Sequence, residues 1–407
     1  MRIAFLCWEF PPHIVGGLGT YAQYVTCALT RRGHDLSVFA PGAGAAPTRD
    51  EWKGIAVHRP RPLDLAPIFP YVVTDELRSW GSLSKELLRF NLWAAEAALT
   101  TAPSFDLIAV HDWLSAPAGL LLAAQQPAPV VFHIHSTERG RQPGGGSPAV
   151  HHWEGALAHH AEAIITVSEA MRSDLAKHGW DSAKLSAIWN GVDPAVYGPE
   201  VVSPKVSRAM RDTYRIGLDK ALILYVGRLT AVKGVGQLVE AMPAVLPQHP
   251  EARLVLLGRG ELAEQLRERV NALGLAEAVT IRDEFVSEDE RIAHYAACNL
   301  AVFPSTYEPF GIVGLEAMAM AKPVVVGASG VVGLREQVIN SGAGQTGLHV
   351  NGTDPTDIAW GLNTALDRRD EWSTWGHHGR QRVLDRFTWD HAAAKTEAVY
   401  RRVVGEG

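Results

Sequence analysis

The sequence predicts an α/β protein made of two doubly wound, Rossmann-like domains, and three observations carry that expectation. The chain has 407 residues, too many for one ordinary core at ~100–200 residues per domain. Short runs rich in Val, Ile and Leu alternate with longer amphipathic stretches, the pattern of parallel strands covered by helices on both faces. The rhythm breaks at the turn sequence Asn190-Gly-Val-Asp-Pro and then starts again, so one such domain follows another.

Taken in order, the first half offers strands at residues 2–7, 35–40, 55–59, 107–111, 130–135, 163–167 and 185–189. The second half offers them at 221–226, 253–257, 279–282, 300–303, 323–327 and 348–350. The first domain is assigned to residues 1–190 and the second to 191–386, with a hinge in the loop-rich stretch 196–204. A last helix is expected near Trp389 to Val404, with Trp389, Ala393, Ala398, Val399 and Val403 at helical spacing. Gly144-Gly-Gly-Ser147, beside Pro143 and Pro148, reads as a flexible loop over a cleft between the domains.

Composition narrows the function. Lys and Arg total 38 against 44 acidic residues, a formal charge of -6, which gives no general attraction to nucleic acid or anionic membrane. An anion site must therefore be built locally. Cys7, Cys27 and Cys298 are odd in number and widely spaced, as in a reducing, cytoplasmic setting rather than a disulfide framework. The longest apolar stretch, 116–124, is less than half of the ~20 residues a membrane span needs, so no integral membrane segment is expected.

Three constellations carry chemistry. After the first strand comes Trp8-Glu-Phe-Pro-Pro-His-Ile-Val-Gly16-Gly17-Leu-Gly19, leading into a helix expected from about Thr20. Glycines let backbone approach a ligand, and a helix N-terminus presents amide N–H groups to phosphate; a plain strand-to-helix turn is the other reading. The GxGxxG spacing of a dinucleotide fold is missing. Arg228 and Lys233 lie five residues apart in one loop at the end of a second-half strand, where both can turn toward a diphosphate; solvated surface charge is the alternative. Glu308 ends a strand loop and Glu316 follows eight residues on inside a helix, so the first can reach a sugar hydroxyl and the second a ribose hydroxyl. The N–H groups from Phe310 through Gly311 to Ile312 start that helix and form a second anion cradle.

On these residues the chain resembles the glycogen-synthase-like, retaining GT-B glycosyltransferases of glycosyltransferase family four, over nearly its full length. The matching pieces are the Gly16-Gly17 loop, His111-Asp112-Trp113, His135, Asn190-Gly-Val-Asp193, Arg228 with Lys233, and Glu308-Pro-Phe-Gly-(x)4-Glu316. The resemblance implies two domains facing across a cleft and a final helix, counted from residue 387 to 404, that crosses back onto the first. It also implies that Gly16 and Gly17 sit by the donor phosphates, that Arg228 and Lys233 bind the diphosphate, that Glu308 holds the transferred sugar and that Glu316 holds the ribose. His135 would lie near the sugar's 6-hydroxyl, Asp112 would position sugar or acceptor, Asn190 would border the donor site, and backbone near Phe285-Val286 would read the base. His133, pointing the same way in an alternating strand, reads as a core histidine.

The expected reaction is retaining transfer of a hexosyl unit, most simply α-glucosyl, from an ADP-, UDP- or GDP-linked donor to a hydroxyl of a glucan or small molecule. The nucleotide sugar is a co-substrate and no further cofactor is expected. No Asp-x-Asp triplet occurs, so a metal-independent reaction is expected, with the cations and helix starts offsetting charge on the leaving diphosphate. His151-His152, His159-His160 and Glu154 raise a metal hypothesis, but their spacing suits a solvated helix face better than an i, i+4 zinc pair. A sugar-nucleotide epimerase or hydrolase and a non-catalytic nucleotide-sugar sensor are the competing classes, with a dehydrogenase disfavoured by the missing fingerprint. Glu284 and Arg335 depart from the family's usual glycine and proline, which leaves donor preference open.

Overall fold

The computed structural model describes residues 1–42, 48–60, 74–101, 103–142 and 144–405. Two compact units are present: Met1–Val167, Arg172–Trp189 and Trp389–Gly407 form the first, and Ser168–Met171 with Asn190–Thr388 form the second. Pro143, beside the predicted glycine loop, lies outside the described residues.

The first unit holds β1 (Arg2–Leu6), β2 (Asp35–Phe39), β3 (Arg49–Trp52), β4 (Ile55–His58), β5 (Leu107–His111), β6 (Val130–Ile134), β7 (Ala163–Thr166) and β8 (Leu185–Ala187). They form one sheet in the order β3-β4-β2-β1-β5-β6-β7-β8. Every pairing is parallel except β3 with β4. Ile3, Ala4, Phe5 and Leu6 are all fully buried, as expected of a strand covered on both faces. β3, whose Arg-Asp-Glu-Trp carries no apolar alternation, escapes the sequence reading. It is an edge strand folded back through Lys53 and Gly54, both at positive φ, the geometry of a two-residue hairpin turn.

The second unit holds β9 (Leu222–Val226), β10 (Arg253–Leu257), β11 (Val279–Arg282), β12 (Leu300–Phe303), β13 (Val324–Gly327) and β14 (Gly347–Val350). Their order, β11-β10-β9-β12-β13-β14, is parallel throughout. Counted within the unit this is the 3-2-1-4-5-6 order of the doubly wound fold, and the first unit follows it from β4 across to β7. In such sheets the chain reverses direction beside the first strand, and ligands bind outside the carboxyl ends there. The relevant ends are those of β1 and β5 in one unit and of β9 and β12 in the other.

The chain leaves the first unit at Trp189 and returns at Trp389. Where a hinge loop was predicted, residues 199–201 form a 3-10 turn and Pro204–Thr213 a helix. The Val192 N–H donates to the Phe387 carbonyl at 2.9 Å, so the outgoing and returning strands run side by side. The returning helix, Trp389–Val404, packs on the Gly17–Arg31 helix of the first unit. Its buried face is Trp389, Ala392, Ala393, Thr396, Val399 and Tyr400, and Trp389 stacks on Tyr24 with centroids 5.4 Å apart. Ala398, assigned to that face from spacing, is exposed, because the apolar stripe runs through Tyr400 instead. Among the described residues no helix is long and apolar enough to cross a membrane.

Candidate functional site

In the second unit β9 delivers Arg228 directly beyond its carboxyl end. The guanidinium is exposed and makes no ion pair among the described residues. A 3-10 turn, Ala231–Lys233, follows, and Gly234 at φ +69 begins the next helix. A Cβ at Gly234 would lie 2.0 Å from the Pro304 carbonyl oxygen, so glycine is what allows this loop to rest on the one after β12. The Val232 carbonyl ties the two loops further, accepting from the Thr306 N–H at 2.9 Å and the Tyr307 N–H at 3.2 Å.

That docking brings Lys233 onto Glu308, whose carboxylate it pairs with. Glu308 is also held through its backbone: its N–H donates to Val331 at 2.9 Å and its carbonyl accepts from Gly333 at 2.8 Å. Beyond it, Gly311 at φ +87 caps the Ile312–Ala319 helix. The buried Gln337 side chain donates to the Phe310 and Gly311 carbonyls at 2.8 and 3.1 Å. Their N–H groups have no protein acceptor among the described residues. An unpaired cation, an ion pair and free amides at a helix start thus share one pair of strand-end loops, the arrangement that suits a diphosphate with an attached sugar.

Glu316 stands apart. The helix begins at Ile312, so Glu316 sits about one turn inside it, and it is 4% exposed. Its carboxylate accepts from the Tyr295 hydroxyl at 3.0 Å and faces Arg291 at 3.4 Å. Any ribose bond would use its remaining lone pairs. Val286 follows the 73% exposed Phe285, over which Arg259 lies at 5.8 Å. Asn190 is buried at the crossing point, and its Oδ1 is without a partner among the described residues. Arg335 donates to the Ala328 carbonyl, and Glu284 pairs with Arg282.

In the first unit the β1 loop differs from its sequence reading. The helix starts at Gly17, not Thr20. Glu9 reaches across the loop, and its Oε2 accepts from the Val15, Gly16 and Gly19 N–H groups at 3.0, 2.9 and 3.2 Å. The Gly16 amide, expected to be free for phosphate, is therefore occupied by an internal anion. No spacing in the sequence marks Glu9 for this role, which depends on the loop backbone bringing three amides to one oxygen.

Asp112, just past β5, has φ 55 and ψ 172, a region nearly closed to residues with a Cβ and costing roughly 1–3 kcal/mol. Its Oδ1 accepts from the N–H groups of His135 and Ser136 at 2.6 and 3.3 Å. Burial pushes its carboxyl up to about 6. β6 ends at Ile134, so His135 lies one residue beyond the strand rather than ending it. His135 Nε2 is 3.2 Å from His111 Nδ1, and burial holds its imidazole down at about 3. His133 lies between the hydroxyls of Tyr21 and Tyr400, at 3.2 and 2.8 Å, which is the satisfied core histidine expected of it. Tyr21, Tyr400 and Glu9 are the residues that sequence reasoning missed here.

The double histidines lie on the Pro148–His160 helix with His152, His159 and His160 exposed. Glu154 departs from the solvated face: it is buried and accepts from the Glu138 N–H at 2.9 Å. Among the described residues no cluster of His, Cys, Asp and Glu has the geometry of a metal site.

Fold and loop chemistry define a class: paired α/β units of Rossmann strand order, with charged and polar side chains gathered at strand ends by the switch point. Residues 15–196 match glycosyltransferase family 4, and residues 206–382 match glycosyl transferases group 1. A glycosyltransferase of Methanocaldococcus jannaschii is 32% identical, with 98% of each chain covered. The glycogen synthase of Mycobacterium tuberculosis is 30% identical over 98% of this chain and 94% of its own. Among solved structures, sucrose-phosphate synthase from Thermosynechococcus elongatus superposes with a TM-score of 0.80 at 25% identity, over 100% of both chains. Anabaena HepE in complex with UDP and glucose gives 0.73 at 23% identity, over 98% of both chains. The chain belongs to glycosyltransferase family 4, and its fold is GT-B.

Proposed function

We propose that this glycosyltransferase is a retaining, metal-independent hexosyltransferase that moves an α-glucosyl unit from a nucleoside diphosphate donor to a hydroxyl of a glucan or small-molecule acceptor, working in the cytoplasm. The observation that carries the reading is the Lys233–Glu308 pair beside unpaired Arg228 and the free amides at Phe310 and Gly311. As the glycosidic bond breaks, charge grows on the diphosphate, and preorganised cations and amides there lower the barrier directly. On donor entry Lys233 turns to the phosphate and Glu308 to the sugar hydroxyls, and each keeps its partner's charge close. Glu316 holds ribose, Val286 and Asn190 border the nucleotide, and Ile312 extends the amide cradle. The first unit contributes Gly17, with Gly16 once Glu9 yields it, Asp112 and His135 to donor sugar and acceptor.

Names of the relatives support glucosyl chemistry, since one is a glycogen synthase. Retention is supported by the family resemblance and because no carboxylate in the motifs named above is an obvious opposite-face nucleophile, as double displacement would need; the reading is same-face attack, with the departing phosphate taking the acceptor's proton. The absence of an Asp-x-Asp triplet supports catalysis with no divalent ion and no added cofactor. The test is to follow the anomeric proton by NMR during transfer in EDTA, for wild type and the Arg228→Ala, Lys233→Ala double variant. An α-linked product in chelator and collapse of transfer in the double variant are expected; single lost donors of this kind cost ~2.7–4 kcal/mol, and two in one cluster need not add. A β-linked product overturns retention, loss in EDTA overturns metal independence, and donor consumption without acceptor favours the hydrolase or epimerase.

A further inference from the structure

His111, His133 and His135 form a stack at the ends of β5 and β6. The His111 and His133 centroids are 4.3 Å apart, and Phe5 closes the other face of His111 at 4.0 Å. His111 Nδ1 and His135 Nε2 share one hydrogen bond at 3.2 Å. Only one proton can occupy it, so the two rings are locked into complementary tautomers.

Which tautomers follows from the other ends of the rings. His111 Nε2 is buried without a partner among the described residues. Were His135 the donor, His111 would carry its proton on that orphan nitrogen, leaving a buried N–H with nothing to bond. Orphan buried N–H groups are the rarer and costlier kind, and an orphan acceptor is better tolerated. The two rings stacked on His111, Phe5 and His133, are each inclined by only 30° to it, so an edge N–H meets neither of their π faces. Protonating both rings is opposed by burial and by mutual repulsion, which hold His111 well below the ordinary histidine range.

We infer that His111 is a positioning residue: its Nδ1–H donates to His135 Nε2 and so fixes His135 as the Nδ1–H tautomer, a neutral donor whose free N–H is offered to a hydroxyl oxygen of the bound sugar. His135 Nδ1 has no protein partner among the described residues, in keeping with a donor held for a ligand. The tautomer is a property of the unliganded chain, whereas the hydroxyl contact rests on the place proposed for His135 above.

Two measurements separate these parts. Long-range nitrogen–proton correlation spectra of the full chain, with isotope-labelled histidine, read which ring nitrogen is protonated. His135 protonated at Nδ1 and His111 at Nδ1 is the expected result; His135 protonated at Nε2 overturns the inference whatever the activity. Kinetics then test the role. His111→Asn keeps an N–H near the Nδ1 position and should retain both the single His135 tautomer and most of kcat. His111→Phe keeps the ring but not the donor. It should give a mixed His135 tautomer and a fall in kcat on the order of tenfold or more, with donor KM little changed. An unchanged kcat in His111→Phe with a mixed tautomer overturns the positioning role and leaves the transferase reading standing. Equal loss in Asn and Phe variants that both melt as wild type also overturns it.

Discussion

Individual side chains in this molecule are set by what they are paired with before any ligand arrives. Glu308 meets Lys233 in an ion pair, so a mostly buried acidic side chain does not stand without a partner. Glu308→Gln should leave the melting curve close to wild type and lower turnover by on the order of a hundredfold, because a charged partner to the sugar is lost; near-normal turnover would remove Glu308 from the reaction. Glu9 gathers three loop amides on one oxygen. Replacing it by Gln weakens those bonds, and stability should drop by ~1 kcal/mol while donor KM rises as the loop loosens. If neither the thermal midpoint nor KM moves, Glu9 does not shape the loop. The sequence showed Glu308, Lys233 and Arg228 because their spacing puts charge at strand ends. It could not show Glu9, whose importance comes from a backbone turn that folds three N–H groups toward it.

At the scale of elements, the parallel strands were legible throughout, with ends displaced by no more than two residues, because strands buried on both faces read as unbroken apolar runs. β3 was hidden for the opposite reason: an edge strand paired on one side and mostly exposed needs no apolar pattern. The Trp389–Val404 helix was visible as a helix, yet its buried face was misread at Ala398 because period alone does not fix which stripe faces inward. The true stripe is defined by contact with the Gly17–Arg31 helix and by the Tyr400 hydroxyl on His133. Truncation at about residue 387 should therefore uncover Tyr21, Tyr24 and His133 and lower the thermal midpoint, with dye binding to the exposed apolar strip. A truncated chain that melts as the full one does would show that the helix adds nothing to the first unit.

For the whole molecule the buried histidines set the response to acid. Burial lowers the folded-state values of His111 and His133 well below 6.5, and that of His135 to about 3. Below the ordinary value the unfolded chain binds protons that the folded chain refuses, so stability is full above about pH 6.5 and falls as pH drops toward the folded values, by up to ~1.4 kcal/mol per pH unit for each ring. Asp112 and Glu154 work in the other direction, since burial raises their carboxyls to about 6 and about 7 and lets the folded state take up protons below those values that the unfolded chain binds only nearer pH 4. Three rings outweigh these two carboxyls, and melts between pH 7 and 4.5 should show a net loss. A His133→Gln variant should flatten the slope by up to ~1.4 kcal/mol per pH unit; a slope unchanged in that variant would assign acid sensitivity elsewhere. The discontinuity of the first unit has a consequence for biosynthesis. Its sheet is complete by Ala187, yet the helix that covers Tyr21 and His133 is made only after the whole second unit has been translated. During that interval the nascent first unit carries an open apolar seam. Ribosome-associated chaperones that shield such seams would find their substrate in the N-terminal half, released only when Tyr400 arrives to close it.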